Sequence, residues 1–156
     1  MPARSPSGET LSPKERRGRR LFTAGAIVLI ILGLVHSLSL IQTPVPSNDT
    51  ERQLLALMSS YKFNLMGTQR SMLNLMDGFS IAFMLAALGL GTVDFTLRRE
   101  PTRLLKRVAF VNTLWLAAMT AVSLRYFFAA PTSFLAAALL IFLLATLTLR
   151  SGPTPD

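Results

Sequence analysis

The run LFTAGAIVLIILGLVHSLSLI, residues 21–41, carries no formal charge when His36 is neutral. As a helix rising 1.5 Å per residue it reaches about 30 Å, the depth of one hydrocarbon core. It reads as a membrane-spanning helix. The basic residues before it, Lys14, Arg16, Arg17, Arg19 and Arg20, look like the n-region of a signal peptide. The apolar run is longer than the usual 7 to about 15 residues, however, which favours a span over a cleaved leader. An uncleaved signal-anchor is expected. Arg19-Arg20-Leu21-Phe22 echoes a twin-arginine signal only weakly and reads better as a charged stop at the membrane boundary.

Working outward, residues 78–97 form a second apolar run with Asp94 near its end. A third covers about 108–128, with Asn112 near its start and Arg125 near its finish, and a fourth covers about 133–149. The last is close to the roughly 17-residue minimum for a span. Pro131 falls where a proline is harmless, because first-turn N–H groups have no intrahelical partner. Spans three and four are thus expected to form a tight hairpin through Ala129 to Thr132. The fold class implied is all-α, an integral membrane four-helix bundle occupying residues 14–150, with an amphipathic external helix between helices one and two. The Pro-, Ser- and Gly-rich residues 1–13 and the tail 151–156 lack the apolar content to form a core and are expected to be disordered.

Composition agrees with a lipid solvent. Hydrophobic residues make up 51% of the 156 and charged residues 15%, against about a quarter charged in an ordinary soluble domain. The net charge of +8 raises the question of an anionic partner. Placement of the basic residues answers it. Arg4, Lys14, Arg16, Arg17, Arg19 and Arg20 precede span one, Arg98, Arg99, Arg103, Lys106 and Arg107 lie between spans two and three, and Arg150 follows span four. Only Arg52, Lys62, Arg70 and Arg125 fall on the other side. Positive residues stay in the cytoplasm, so both termini are expected inside and no nucleic acid is needed to explain the charge. Anionic lipids at the cytoplasmic face are the expected partner of the clustered Lys and Arg. With no Cys, disulfides, thiol relays and Cys-based metal sites are ruled out.

The external segment 50–77 follows a stiff exit, Thr43-Pro44-Val45-Pro46. Thr50-Glu51-Arg52-Gln53 fits a capping box, and Leu54, Met58, Tyr61 and Leu65 follow at helical spacing. The pattern predicts an amphipathic helix lying on the outer leaflet or capping the bundle, the cap being preferred, with a bend at Gly67.

Arg70, Asn74 and Asp77, at i, i+4 and i+7, are predicted to share one side of a helix entering the membrane. His36 and Arg125 lie near the outer ends of spans one and three, so the five groups form a candidate polar site. Charges inside a membrane protein are costly unless paired, which makes Arg70 or Arg125 with Asp77 the natural couples. One reading is a site for an anionic or polar ligand, or a proton relay through His36. The other is an ion-pair network that merely anchors helix ends at the water boundary. Asp94 and Asn112 form a secondary polar pair at the inner ends of spans two and three. Asp94 can alternatively face Arg98 one turn later. Five of the seven Met lie between Met58 and Met84. Thioethers bind Cu(I), but gap-filling in apolar packing explains them better. With one His in the chain, a haem held by two His of the same chain is excluded and no metal is indicated, while the residues leave the cofactor unknown. Trp115, in the middle of span three, is assigned to packing.

The segments Gly67-Thr68-Gln69-Arg70-Ser71, Asp77-Gly78-Phe79-Ser80 and Arg125-Tyr126-Phe127-Phe128-Ala129-Ala130-Pro131 resemble those of a family of small bacterial four-helix membrane proteins. The similarity covers about residues 20 to 150. It implies a multi-pass protein of the bacterial inner membrane and implies no reaction.

No GxSxG, HExxH, phosphate-binding Gly-rich loop or Asp-rich prenyl-phosphate motif is present, so the reading leans away from an enzyme. The leading expectation is a binding or assembly subunit, as a homo-oligomer or with another membrane protein. An oligomeric small-solute carrier or channel subunit is the alternative, and a quinone-linked redox accessory using His36 and Asp77 is a third.

Overall fold

The computed structural model describes residues 12–42 and 44–149. Most of the 1–13 tail, Arg4, Thr43, Arg150 and the 151–156 tail lie outside them. The elements run in the order α1 (Pro13–Ser39), α2 (Asp49–Ser60), β1 (Lys62–Leu65), β2 (Thr68–Ser71), α3 (Met72–Leu97), α4 (Thr102–Tyr126) and α5 (Ala129–Thr148). Helices α1, α3, α4 and α5 are long and apolar enough to cross a membrane. The chain is thus predominantly helical and of multi-pass membrane type. It divides into two compact units, one made of the described residues up to Val28 with those from Thr92 onward, the other Leu29–Gly91.

In the first unit, α4 buries Leu105, Ala109, Asn112, Leu116, Thr120 and Ser123, and α5 buries Leu135, Ala138, Phe142 and Ala145. Both sets recur every three or four residues, one face of each helix. Hydroxyl pairs show the helices to be antiparallel: Ser123 Oγ lies 2.7 Å from Thr132 Oγ1 at one end, and Thr113 Oγ1 lies 3.5 Å from Thr146 Oγ1 toward the other. The turn between them is Phe127-Phe128, two residues earlier than Ala129–Thr132, because Pro131 is tolerated inside the first turn of α5 and does not mark its start.

The lower part of α1 packs on α5 through glycines. A Cβ on Gly25 would lie 2.7 Å from the Phe142 ring, and one on Gly18 would lie 2.8 Å from Leu149. Phe22 meets Phe142 edge to face at 5.6 Å. In lipid, helices gain little from apolar burial as such, so close backbone approach at small residues is what provides contact. Many large apolar side chains face outward, among them Ile27, Phe110, Val111, Leu114, Leu140, Leu144 and Leu147. Water would penalise that surface and lipid does not. Trp115 is 37% exposed, so it belongs partly to this outward surface.

Helix α1 begins at Pro13, well before the apolar run. Ser12 Oγ accepts from Glu15 N at 3.3 Å and Ser12 N donates to Glu15 Oε2 at 3.1 Å, a reciprocal cap with proline at the first helical position. The basic residues 14–20 are consequently helical and continuous with the span.

In the second unit, α1 and α3 approach at Gly33, where a Cβ would lie 2.5 Å from Leu88. The external segment departs from the predicted continuous helix. Helix α2 is capped two residues earlier than Thr50, by Asn48 Oδ1 accepting from Glu51 N at 2.9 Å, because Glu51 then returns to Ser47 N at 2.6 Å. It stops at Ser60, and a hairpin follows with Lys62 opposite Ser71, Phe63 opposite Arg70, Asn64 opposite Gln69 and Leu65 opposite Thr68. The two-residue loop Met66-Gly67 has φ of 49° and 89°, the double positive φ that matches strand twist in tight hairpins. Asn64 Oδ1 accepts from Gly67 N at 2.8 Å. Gly67 is therefore a reversal of the chain, not a bend in a helix.

Candidate functional site

The hairpin changes the first polar cluster. Arg70 lies in β2, exposed, with Nη1 donating to the Gln69 carbonyl at 2.9 Å, while Asn74 and Asp77 lie in α3. The three do not form a helical stripe, because the strand between Thr68 and Ser71 breaks the i, i+4, i+7 geometry. Asn74 has a capping role. Its Oδ1 accepts from Ser71 N at 3.3 Å and from Ser71 Oγ at 3.0 Å, and Ser71 Oγ accepts from Asn74 N at 3.2 Å. Buried Ser71 thus starts α3, a role marked in sequence only by a Ser-x-x-Asn spacing that the helical reading passed over. Asp77 is exposed, and no ion pair joins it to Arg70 among the described residues. His36 packs edge-on to Phe83 with centroids 4.9 Å apart. Arg125 belongs to the first unit, is exposed, and carries its guanidinium 5.9 Å from the ring of Tyr126.

The secondary pair is the buried one. Asp94, fully buried in the last turns of α3, accepts at Oδ2 from Asn112 Nδ2 of α4 at 2.7 Å. The alternative partner is engaged elsewhere: Arg98 Nη1 donates to the Phe95 carbonyl at 2.6 Å, and its guanidinium sits 4.0 Å above the Phe95 ring. Asp94 Oδ1 has no hydrogen-bond partner among the described residues, and neither has Thr120 Oγ1, two turns beyond Asn112 on the same buried face of α4. Buried polar atoms are rarely left unpaired, so this face has acceptor capacity the described residues do not use. Chemically, the arrangement ties α3 to α4 and presents one carboxylate oxygen to a proton donor or a small cation.

A second polar arrangement was invisible in the sequence. Arg19 Nη1 donates to the Arg98 carbonyl at 3.5 Å and Nη2 to Thr102 Oγ1 at 3.1 Å. These partners lie 79 and 83 residues away along the chain, so no local pattern marks them. Among the described residues, no three His, Cys, Asp or Glu side chains are grouped as a metal site requires.

No family model matches the chain, and no curated protein or solved structure matches it either.

Proposed function

We propose that this chain is a non-enzymatic binding or assembly subunit of a bacterial inner membrane, with both termini on the cytoplasmic side, and that α2 and the hairpin meet a protein partner on the opposite side. The observation that carries this reading is that α2 buries none of its residues although it holds Leu54, Leu55, Leu57 and Met58. Tyr61, which follows α2, and Met66 in the hairpin loop are exposed as well. Helices that rest on lipid surfaces are rich in Lys and Arg on their polar face. With Asp49, Glu51 and Arg52 its only charged residues, α2 has a net charge of −1, which suits a polypeptide better than an anionic leaflet. The test is the size of the native complex extracted in mild detergent, compared between the wild type and the Leu54→Ser/Leu57→Ser variant. Loss of the larger species with an unchanged melting temperature supports the reading. An unaltered complex refutes it.

A second reading, an oligomeric small-solute carrier or channel subunit, draws on the unpaired Asp94 Oδ1. Four helices enclose only a narrow path, so this function requires several copies. Crosslinking in native membranes that yields monomers alone would exclude it.

A further inference from the structure

We infer that the groove lined by Arg19, Arg20, Thr23, Ala24 and Ile27 on α1 is a discrete site for an anionic glycerophospholipid, with the phosphate on the two guanidiniums and an acyl chain along Ala24 and Ile27. The groove is shallow and open along one helix, with a volume of about 310 Å³. Its lining residues follow i, i+1, i+4, i+5 and i+8, a single helical face.

The arginines sit immediately before the uncharged run that starts at Leu21, at head-group level. Ile27 lies eight residues further on, about 12 Å along the helix axis, against about 15 Å for the hydrocarbon of one leaflet. Polar and apolar walls are thus spaced as the head and chain of one lipid are.

Preorganisation distinguishes this site from a loose basic patch. Arg19 is braced by the Arg98 carbonyl and Thr102 Oγ1, so its charge is held in place before the ligand arrives. Its Nε–H is buried and has no hydrogen-bond partner among the described residues. Arg20 beside it is exposed and able to close on the same phosphate. Thr23 donates its hydroxyl to the Arg19 carbonyl at 2.9 Å and so presents its methyl group as part of the wall.

Charge selects the class of lipid. Along residues 13–28, Lys14, Arg16, Arg17, Arg19 and Arg20 stand against Glu15 alone, a net charge of +4. A zwitterionic head group brings its own cation into that field, whereas a head group with net negative charge does not. A soluble phosphate would satisfy the arginines but leave Ala24 and Ile27 without an apolar partner. The inference requires only that α1 lies in a bilayer, and it is independent of any role for α2.

The experiment is retention of added lipid by the purified full chain, read by native mass spectrometry. Phosphatidylglycerol and phosphatidylcholine with identical acyl chains are compared, and inorganic phosphate is tested as a competitor. Phosphatidylglycerol should be retained at least about tenfold better than phosphatidylcholine, as two juxtamembrane arginines imply. Arg20→Gln, at an exposed position, should reduce that preference several-fold, and Arg19→Gln/Arg20→Gln should abolish it. Ile27→Trp should weaken retention of phosphatidylglycerol by filling the apolar wall without changing charge. Arg17→Gln, equal in charge loss but outside the groove, weakens only the surrounding field and should reduce the preference less than Arg20→Gln does. Equal retention of the two lipids, an Arg17→Gln loss as large as that of Arg20→Gln, or displacement by millimolar phosphate would each overturn the inference.

Discussion

Asn112 Nδ2 donates to Asp94 Oδ2 at 2.7 Å, joining α4 to the last turns of α3 through two side chains that are 3% and 0% exposed. Removing the donor leaves both carboxylate oxygens buried without a partner among the described residues. Asn112→Ala should therefore destabilise the protein by about 1–3 kcal/mol, the usual cost of an orphaned buried polar group. A double-mutant cycle with Asp94→Ala should give a coupling of about 0.6 kcal/mol, up to about 1.7, as found for hydrogen bonds between membrane helices. Thermal unfolding in mild detergent measures both. No change on Asn112→Ala would mean that the pair contributes nothing to stability.

Gly25 and Gly89 should respond oppositely to the same change. The Cβ of Gly25→Ala would fall 2.7 Å from the Phe142 ring, whereas a Cβ on Gly89 would meet nothing within 4 Å among the described residues beyond its own helix. Overpacking makes Gly25→Ala cost about 1–3 kcal/mol, with partial recovery on adding Phe142→Leu. Gly89→Ala should be neutral or stabilise by about 0.4–1 kcal/mol through a less flexible unfolded chain. Melting temperatures of the three variants in one detergent decide it.

The hairpin depends on the positive φ of Gly67. Gly67→Val puts a branched Cβ into a left-handed conformation at a cost of about 1–2 kcal/mol. Hydrogen exchange of the amides of β1 and β2 should accelerate, while amides of α4 stay protected. Gly67→Asn, which tolerates that region, should retain most of the protection.

Orientation is open to a clean labelling test because the chain has no cysteine of its own. Ser60→Cys, just before the hairpin, should react with a membrane-impermeant maleimide in intact cells. Glu100→Cys, between α3 and α4, should react only after permeabilisation. Both positions are exposed, so burial does not confound the comparison. The reverse labelling pattern would place the termini outside.

The four spans were legible because an uncharged run of some twenty residues has one favourable environment, whatever its neighbours are. Their extents were less so: α1 and α3 each begin earlier than their apolar runs, where caps at Ser12 and Ser71 extend the helices past the hydropathy signal. The external segment was misread because Leu54, Met58, Tyr61 and Leu65 fit a helical period that says nothing of where the helix stops. Met66-Gly67 lacks the common Asn-Gly signature of a tight hairpin, so the reversal carried little local warning.

The amphipathic helix and polar stripe entering the second span led the reading toward residues 50–77, and the hairpin moved Arg70 off that stripe. By itself the sequence determined the solvent: 51% hydrophobic residues gathered into four long runs require lipid around a helical chain. Tertiary structure alone decided which polar groups meet, that Asp94 turns to Asn112 and not to Arg98, and that Arg19 is braced by Arg98 and Thr102. The reason is physical. Partition into a membrane depends on composition summed along one segment, whereas a hydrogen bond depends on the relative rotation and depth of two helices, set by contacts such as Gly25 on Phe142 that are distant in the chain.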